Sequence, residues 1–249
     1  MIRRGSGPKP SRIQDRITVT YSDSRWRILG NLRRKALAVL DGLGPWRTSA
    51  LVHGSLARGD VDIKSDIDIL IPASVSTQLV ETSLETSGFQ LASREIAQAT
   101  PMHSPKAHLY LDLERKTAVT IPMTPFRRLE EEFYRFGGTV AWNGLKEEVR
   151  TKGCTKKLTL IEPTETGHSE SAVVGRESEV ARTLGISTDI VRERVRVLSR
   201  RDSIGRTGIF LKLPVPEDVS FEEVLDQQVR ANPALRRTLR MRASHGSKG

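Results

Sequence analysis

The sequence predicts an α+β fold in which a mixed sheet with flanking helices is followed by a small helical domain. Three observations lead to this. Apolar residues recur at helical spacing in two well-separated stretches. Short apolar or alternating runs lie between them. After Gly175 the pattern changes to compact helices.

The first helix follows the polar SDS at 22–24, where Trp26, Leu29, Leu32, Ala36 and Leu40 recur at steps of three and four. Gly42, Gly44 and Pro45 stop it, and Gly30 weakens it slightly. SALVHG (49–54) and IDILIP (67–72) read as short buried strands, the second closed by Pro72. GFQLASREIAQAT (88–100) alternates imperfectly. AHLYLDL (107–113) alternates cleanly, sending His108, Tyr110 and Asp112 one way and Leu109, Leu111 and Leu113 the other. AVTIPM (118–123) is placed to pair with it as a hairpin.

TPFRRLEEEFYRFGG returns to helical spacing, with Thr124 as cap, Pro125 in the first turn and Phe126, Leu129, Phe133 and Phe136 on one side. Gly137–Gly138 end it. Residues 139–175 form a connecting segment in which KKLTLIEP reads as a strand and TETGHSES as a loop. The chain thus divides into a basic N-terminal tail (1–20), a first domain (21–138), the connecting segment (139–175), a second domain (176–215) and a final stretch (216–249). That last stretch reads as a linker, a short helix docking through Phe221, Val224, Leu225 and Val229, and a basic C-terminal tail.

The chemistry concentrates in LVHGSLARGDVDIKSDIDILIP, residues 51–72. A strand beginning at Asp66 places Asp66 and Asp68 on one face and sends Ile67, Ile69 and Ile71 into the core. Two carboxylates so placed repel each other unless they share a cation, and Mg²⁺ or Mn²⁺ with substrate phosphates fits such oxygen donors. Asp112 is the candidate third carboxylate and Glu95 its rival. Gly54 permits close backbone approach to phosphate, Ser55 adds a hydroxyl, and Arg58 adds a forked cation. An exposed acidic loop or a structural cation site leaves the same trace. Asp60 and Asp62 read as loop residues, with Asp62 a spare ligand.

HGS at 53–55, ARGD at 57–60 and SDIDIL at 65–70, with ten residues between Ser55 and Asp66, resemble the signature of the polymerase-beta-like nucleotidyltransferase superfamily. The wording is closest to its small, minimal members, and the chain is similar to uncharacterised archaeal proteins predicted to be nucleotidyltransferases. The resemblance implies a nucleotidyltransferase domain at 21–138 that transfers a nucleoside monophosphate from a nucleoside triphosphate, ATP among them, with release of pyrophosphate. It implies Asp66, Asp68 and Asp112 as catalytic metal ligands, and Gly54 and Ser55, assisted by Arg58, as the nucleotide-binding residues. His53 reads as a histidine beneath the turn, and His108 and Lys106 as surface residues.

SEVARTLGISTDIVRERVRVLSRRDSIGRTGIFLKL offers a second function. Val180, Ala181 and Leu184 face inward, Gly185 permits the turn, Ser187 caps the next helix, and Val191, Val195 and Leu198 mark its buried side. The segment resembles winged helix-turn-helix domains, with GRTG and IFLKL as a basic wing. Arg194 stands where an apolar residue is common. The resemblance implies nucleic-acid contacts, to DNA or RNA, from Thr188, Arg192, Arg196, Ser199, Arg200, Arg201 and Arg206. A helical packing or dimerisation module is the plainer reading, and a homodimer is one of the expectations.

Composition narrows the classes. The formal net charge of +10 lies at the ends: residues 1–20 carry +4, residues 227–249 carry +6, and the body between them is neutral. Basic ends commonly meet polyanions. No run approaches the length of apolar chain that spans a bilayer, and the basic N-terminus reads as no secretory signal, so a cytoplasmic protein is expected. The single cysteine, Cys154, excludes an intramolecular disulfide and a cysteine-based zinc cluster and reads as an inert thiol. Two alternatives stand beside the enzyme: a DNA-binding regulator with a catalytically silent nucleotide-binding domain, and a protein-nucleotidylating enzyme of toxin–antitoxin type.

Overall fold

The computed structural model describes residues 16–205 and 208–246. Most of the N-terminal tail and Arg206 of the expected wing lie outside them. The elements run β1 (Ile17–Thr20), α1 (Asp23–Gly42), β2 (Leu51–His53), α2 (Ser55–Arg58), β3 (Ile67–Leu70), α3 (Thr77–Thr86) and β4 (Ser93–Gln98). Then follow β5 (Lys106–Tyr110), β6 (Thr117–Pro122), α4 (Arg128–Gly137), β7 (Thr139–Ala141), α5 (Trp142–Lys146), β8 (Gly153–Cys154), β9 (Thr159–Thr164) and β10 (Gly167–Ala172). The chain closes with α6 (Glu177–Leu184), α7 (Thr188–Ile204), β11 (Leu211–Pro214), α8 (Phe221–Ala231) and α9 (Pro233–Gly246). It forms two compact units: Met1–Leu37, Leu51–Ile67 and Arg128–Gly208, and Ala38–Ala50, Asp68–Arg127 and Ile209–Gly249. Among the described residues no helix is long and apolar enough to cross a membrane.

In the first unit, β1, β10, β9 and β8 form an antiparallel sheet in that order. This is where the sequence reading of 139–175 fails. GHSESA, expected as loop, is the second strand of a hairpin with β9, pairing Ala172 with Thr159 and Gly167 with Thr164. Its polar side chains find partners within the sheet. Tyr21 Oη lies 2.6 Å from His168 Nδ1, while His168 Nε2 lies 2.9 Å from Glu170. Gly167 is required where it stands, because a Cβ there would collide with the Val19 carbonyl of β1. Ile17–Thr20, assigned to the tail, is therefore an edge strand.

The helix pair behaves as its spacing predicts. Gly185 closes α6 with a left-handed φ of 62°, and Ser187 caps α7 by accepting from the Ile190 N–H. Val180, Ala181, Ile190, Val191 and Leu198 are buried in one cluster with Phe136, Cys154, Leu158, Leu160 and Val173. Leu184 and Val195 are partly buried against it. Arg194, the departure from an apolar pattern, lies with its guanidinium 4.9 Å from the Phe133 ring centroid, and burial, with Arg201 nearby, lowers its pKa to about 10.

In the second unit β11, β4, β5, β6 and β3 follow one another across a sheet. β4, β5 and β6 pair antiparallel, and Ile71 N–H donates to the Thr120 carbonyl beside β3. Ile96, Ala107, Leu109, Val119 and Ile121 are fully buried on one face, with Ile69 and Ile71 of the β3 run buried likewise. The strand expected to flank a wing behaves differently: Leu211–Pro214 adds to the edge of β4, pairing Leu211 with Gln98 and Pro214 with Glu95.

The stretch 216–249 is more ordered than a linker and tail. Ser220 and Glu223 form a capping box that starts α8, whose Phe221 and Leu225 are buried as expected. A further helix, α9, covers much of the expected tail. Arg242 fixes it by donating to Thr124 Oγ1 and to the carbonyls of Met102 and Pro125. α4 begins at Arg128 rather than at Thr124–Pro125, and Phe126 sits beneath Lys106 instead.

Candidate active site

The glycine–serine turn joins β2 to α2. Gly54 has φ 82° and ψ −142°, a conformation that L side chains rarely adopt, and a Cβ added there would meet no atom within 4 Å. The turn is thus open above Gly54. Its N–H donates to the Gly138 carbonyl, which leaves Ser55 as the polar group of the turn. Ser55 Oγ reaches Ser65 Oγ at 3.4 Å, and Asp62 closes the loop by accepting from the Lys64 N–H at 2.7 Å. Asp62 is therefore a turn-forming residue, as the sequence reading of it as loop expected.

Two buried arginines clamp α2. Arg33, from α1, donates to the carbonyls of Leu56, Ala57 and Val149, and burial lowers its pKa to about 10. Arg58, from α2 itself, donates to Gly137 O at 2.5 Å, Cys154 O at 3.4 Å and Asp60 Oδ2 at 2.9 Å. Arg58 was expected to assist in nucleotide binding. Its side chain is 7% exposed, and it faces two carbonyls and a carboxylate inside the first unit.

Asp66 immediately precedes β3 and Asp68 is its second residue; both are exposed, while Ile67, Ile69 and Ile71 are buried. The alternation expected of this strand is present. Asp112, the candidate third carboxylate, lies beyond the end of its strand. β5 ends at Tyr110, so the alternating pattern runs past the strand and Asp112 falls in the β5–β6 turn. Its oxygens accept from the N–H groups of Lys116 (2.8 Å) and Thr117 (2.7 Å). Burial alone would raise the Asp112 pKa, but these bonds together with the Lys116 charge hold it below the usual carboxylate range. Asp112 is a turn residue.

Glu95, the rival, is buried at 6% exposure and accepts from Arg115 at 2.8 Å, with Lys212 at 3.4 Å. Among the described residues no group of three or more His, Cys, Asp and Glu side chains is arranged to hold a metal ion.

His53 stacks at 6.1 Å on Phe133 and meets Tyr134 edge-on at 5.1 Å, so it is an aromatic packing residue beneath the turn. Of the reader residues, Arg192, Arg196, Arg200 and Arg201 are exposed along α7, while Thr188 and Ser199 are half-buried. Sequence reasoning missed Arg33 altogether. Its one signal is a cation on the inner side of an amphipathic helix, next to Leu29 and Ala36 in the apolar spacing.

Residues 33–121, less than half of the chain, match the model of the nucleotidyltransferase domain family. The chain therefore contains a nucleotidyltransferase domain of the minimal, polymerase-beta-like kind, and the matched residues include Gly54, Ser55, Asp66 and Asp68. No curated protein and no solved structure matches the chain.

Proposed function

We propose that the protein is a metal-dependent nucleotidyltransferase that moves a nucleoside monophosphate from a nucleoside triphosphate to an acceptor hydroxyl, releasing pyrophosphate, and that it engages nucleic acid. The observation that supports this is the β3 pattern: Asp66 and Asp68 exposed, the intervening and following isoleucines buried, within the matched domain and ten residues on from an open Gly54–Ser55 turn.

Asp66 and Asp68 would hold Mg²⁺ or Mn²⁺, whose charge stabilises the leaving pyrophosphate and sharpens the attacking hydroxyl. Ser55 binds the triphosphate through its hydroxyl, and Gly54 lets the backbone come close to it. Arg33 and the Arg58–Asp60 pair tie α2 to the backbone around it. The α6–α7 pair serves as a helix-turn-helix reader whose exposed Arg192, Arg196, Arg200 and Arg201 meet phosphate and base edges.

The deciding assay incubates the full chain with each labelled nucleoside triphosphate and Mg²⁺ or Mn²⁺, offering RNA, DNA or the protein itself as acceptor. Asp68→Ala should abolish pyrophosphate release while the circular dichroism spectrum stays unchanged. Release that persists at the wild-type rate removes the assignment. Arg192→Ala with Arg196→Ala should weaken duplex binding and lower its salt slope by about 2, since each phosphate contact contributes roughly 0.9 to that slope.

One observation favours a second reading. Asp112 accepts from backbone N–H groups of its own turn and Glu95 is ion-paired with Arg115, an engagement of both candidate third carboxylates that a regulator with a catalytically silent nucleotide-binding domain would allow. Nucleic-acid binding without transfer to any of the three acceptors would select it.

A further inference from the structure

The second unit's sheet has one buried apolar face. Strand register sets the other face apart: Glu95 and Ala97 of β4, Lys106, His108 and Tyr110 of β5, Thr120 of β6 and Lys212 of β11. Asp68 contributes electrostatically to the Tyr110 phenol, so the β3 carboxylate lies beside this same set of groups. The face is polar at each of those five strands, as the solvated side of an antiparallel sheet commonly is.

Three cations, Lys106, Lys212 and Arg115, stand in this region with two carboxylates: Glu95, which is engaged by Arg115 and Lys212, and Asp68. His108 sits among them, its Nδ1 3.0 Å from Thr120 Oγ1. Burial first, then the Lys106 and Lys212 charges, push its pKa down to about 4 against the opposing pull of Glu95, so the imidazole is neutral at pH 7. Ala97 is paired with both Lys106 and Lys212, and its methyl group leaves room between two long, flexible cationic stems. The two lysine positions are two strand spacings apart, about 10 Å, a span across which two ammonium groups can converge on one phosphate.

We propose that Lys106, His108 and Lys212 form a phosphate seat that holds the backbone of a nucleic-acid acceptor next to Asp68. The proposal rests on the nucleotidyltransferase reading and names the acceptor class for it. Phosphate could also come from the nucleoside triphosphate itself, and the test separates the two sources.

The ring resonances of His108 in the ¹⁵N-histidine-labelled full chain report on the seat alone and are assigned by their loss in His108→Gln. They are followed during titration with the 5′-phosphorylated dinucleotide pApA, which is too short to bridge from the seat to α7. The expected result is a saturable shift that persists with a non-hydrolysable nucleoside triphosphate and Mg²⁺ present. In Lys106→Gln/Lys212→Gln the affinity should fall at least tenfold. Should that double variant fail to fold, Lys212→Gln alone, whose side chain is half exposed, should weaken binding at least threefold.

An unmoved His108 signal overturns the seat, as does equal affinity in the variants. Displacement of pApA by the nucleotide overturns the acceptor assignment, because the triphosphate would then own the seat. Asp68→Asn should keep the shift. A chain that binds pApA at His108 and transfers nothing thus refutes the enzymatic reading and leaves the seat standing.

Discussion

Replacing Arg58 by methionine separates a buried clamp from a phosphate ligand. The guanidinium and Asp60 form an ion pair with side chains 7% and 11% exposed, and two backbone carbonyls complete its contacts. Arg58→Met leaves the Asp60 carboxylate buried without its cation, a situation that typically costs about 3–5 kcal/mol. For a chain of this size each kcal/mol moves Tm by roughly 2–4 °C, so a fall of about 10 °C is expected. Thermal and urea unfolding followed by circular dichroism read the loss. Fluorescence anisotropy with a labelled nucleoside triphosphate reads affinity below the transition, where it should change less than about threefold. The companion Arg58→Met/Asp60→Leu should recover much of the stability, because no charge then remains buried alone. If Arg58→Met unfolds within about 1 kcal/mol of wild type and loses nucleotide tenfold, the clamp argument is wrong and the side chain reaches phosphate after all.

Asp112→Ala removes an acceptor from two backbone N–H groups in a solvent-facing turn and should cost about 1–2 kcal/mol, while pyrophosphate release in the transfer assay stays within twofold of wild type. A complete loss of release without a stability change would restore Asp112 to the site. Acid should weaken the second unit through His108. Its folded pKa lies below the ordinary histidine value, so the unfolded chain binds the proton first, and stability present above about pH 6.5 declines toward pH 4. The decline amounts to about 3 kcal/mol at most, and His108→Gln should flatten it in urea titrations between pH 7.5 and 4.5. Parallel pH profiles for the two proteins would contradict that account.

Elements whose burial follows a strict period were legible from the sequence. The isoleucines of β3, the Leu29–Ala36–Leu40 face of α1 and the turn at Gly185 all lie where spacing put them. The failures share one cause: pattern does not reveal where a strand stops or which long-range partner a polar group finds. AHLYLDL alternates through Leu113, yet the strand ends at Tyr110 and Leu113 is 90% exposed, which leaves Asp112 in the turn. GHSESA looks like loop because its hydrophilic residues are satisfied by Tyr21 and by one another, 147 positions apart in the first case. Arg58 one turn after Ser55 suggests phosphate, and only the fold shows Gly137 and Cys154 presenting carbonyls to it. The α9 helix was hidden because four arginines and no acid suggest a tail. Arg242 is in fact its anchor.

Cys154 gives the first unit a built-in clock. The thiol is 4% exposed in the cluster that joins α4, β8, β9 and the α6–α7 pair, and burial pushes its pKa far above the ordinary cysteine value. It is the chain's one sulfhydryl, so an alkylating reagent added to native protein can mark a molecule only once, and only while that interior is open. Mass spectrometry of the labelled fraction against time would then count excursions of this interior directly, with no denaturant and no engineered probe.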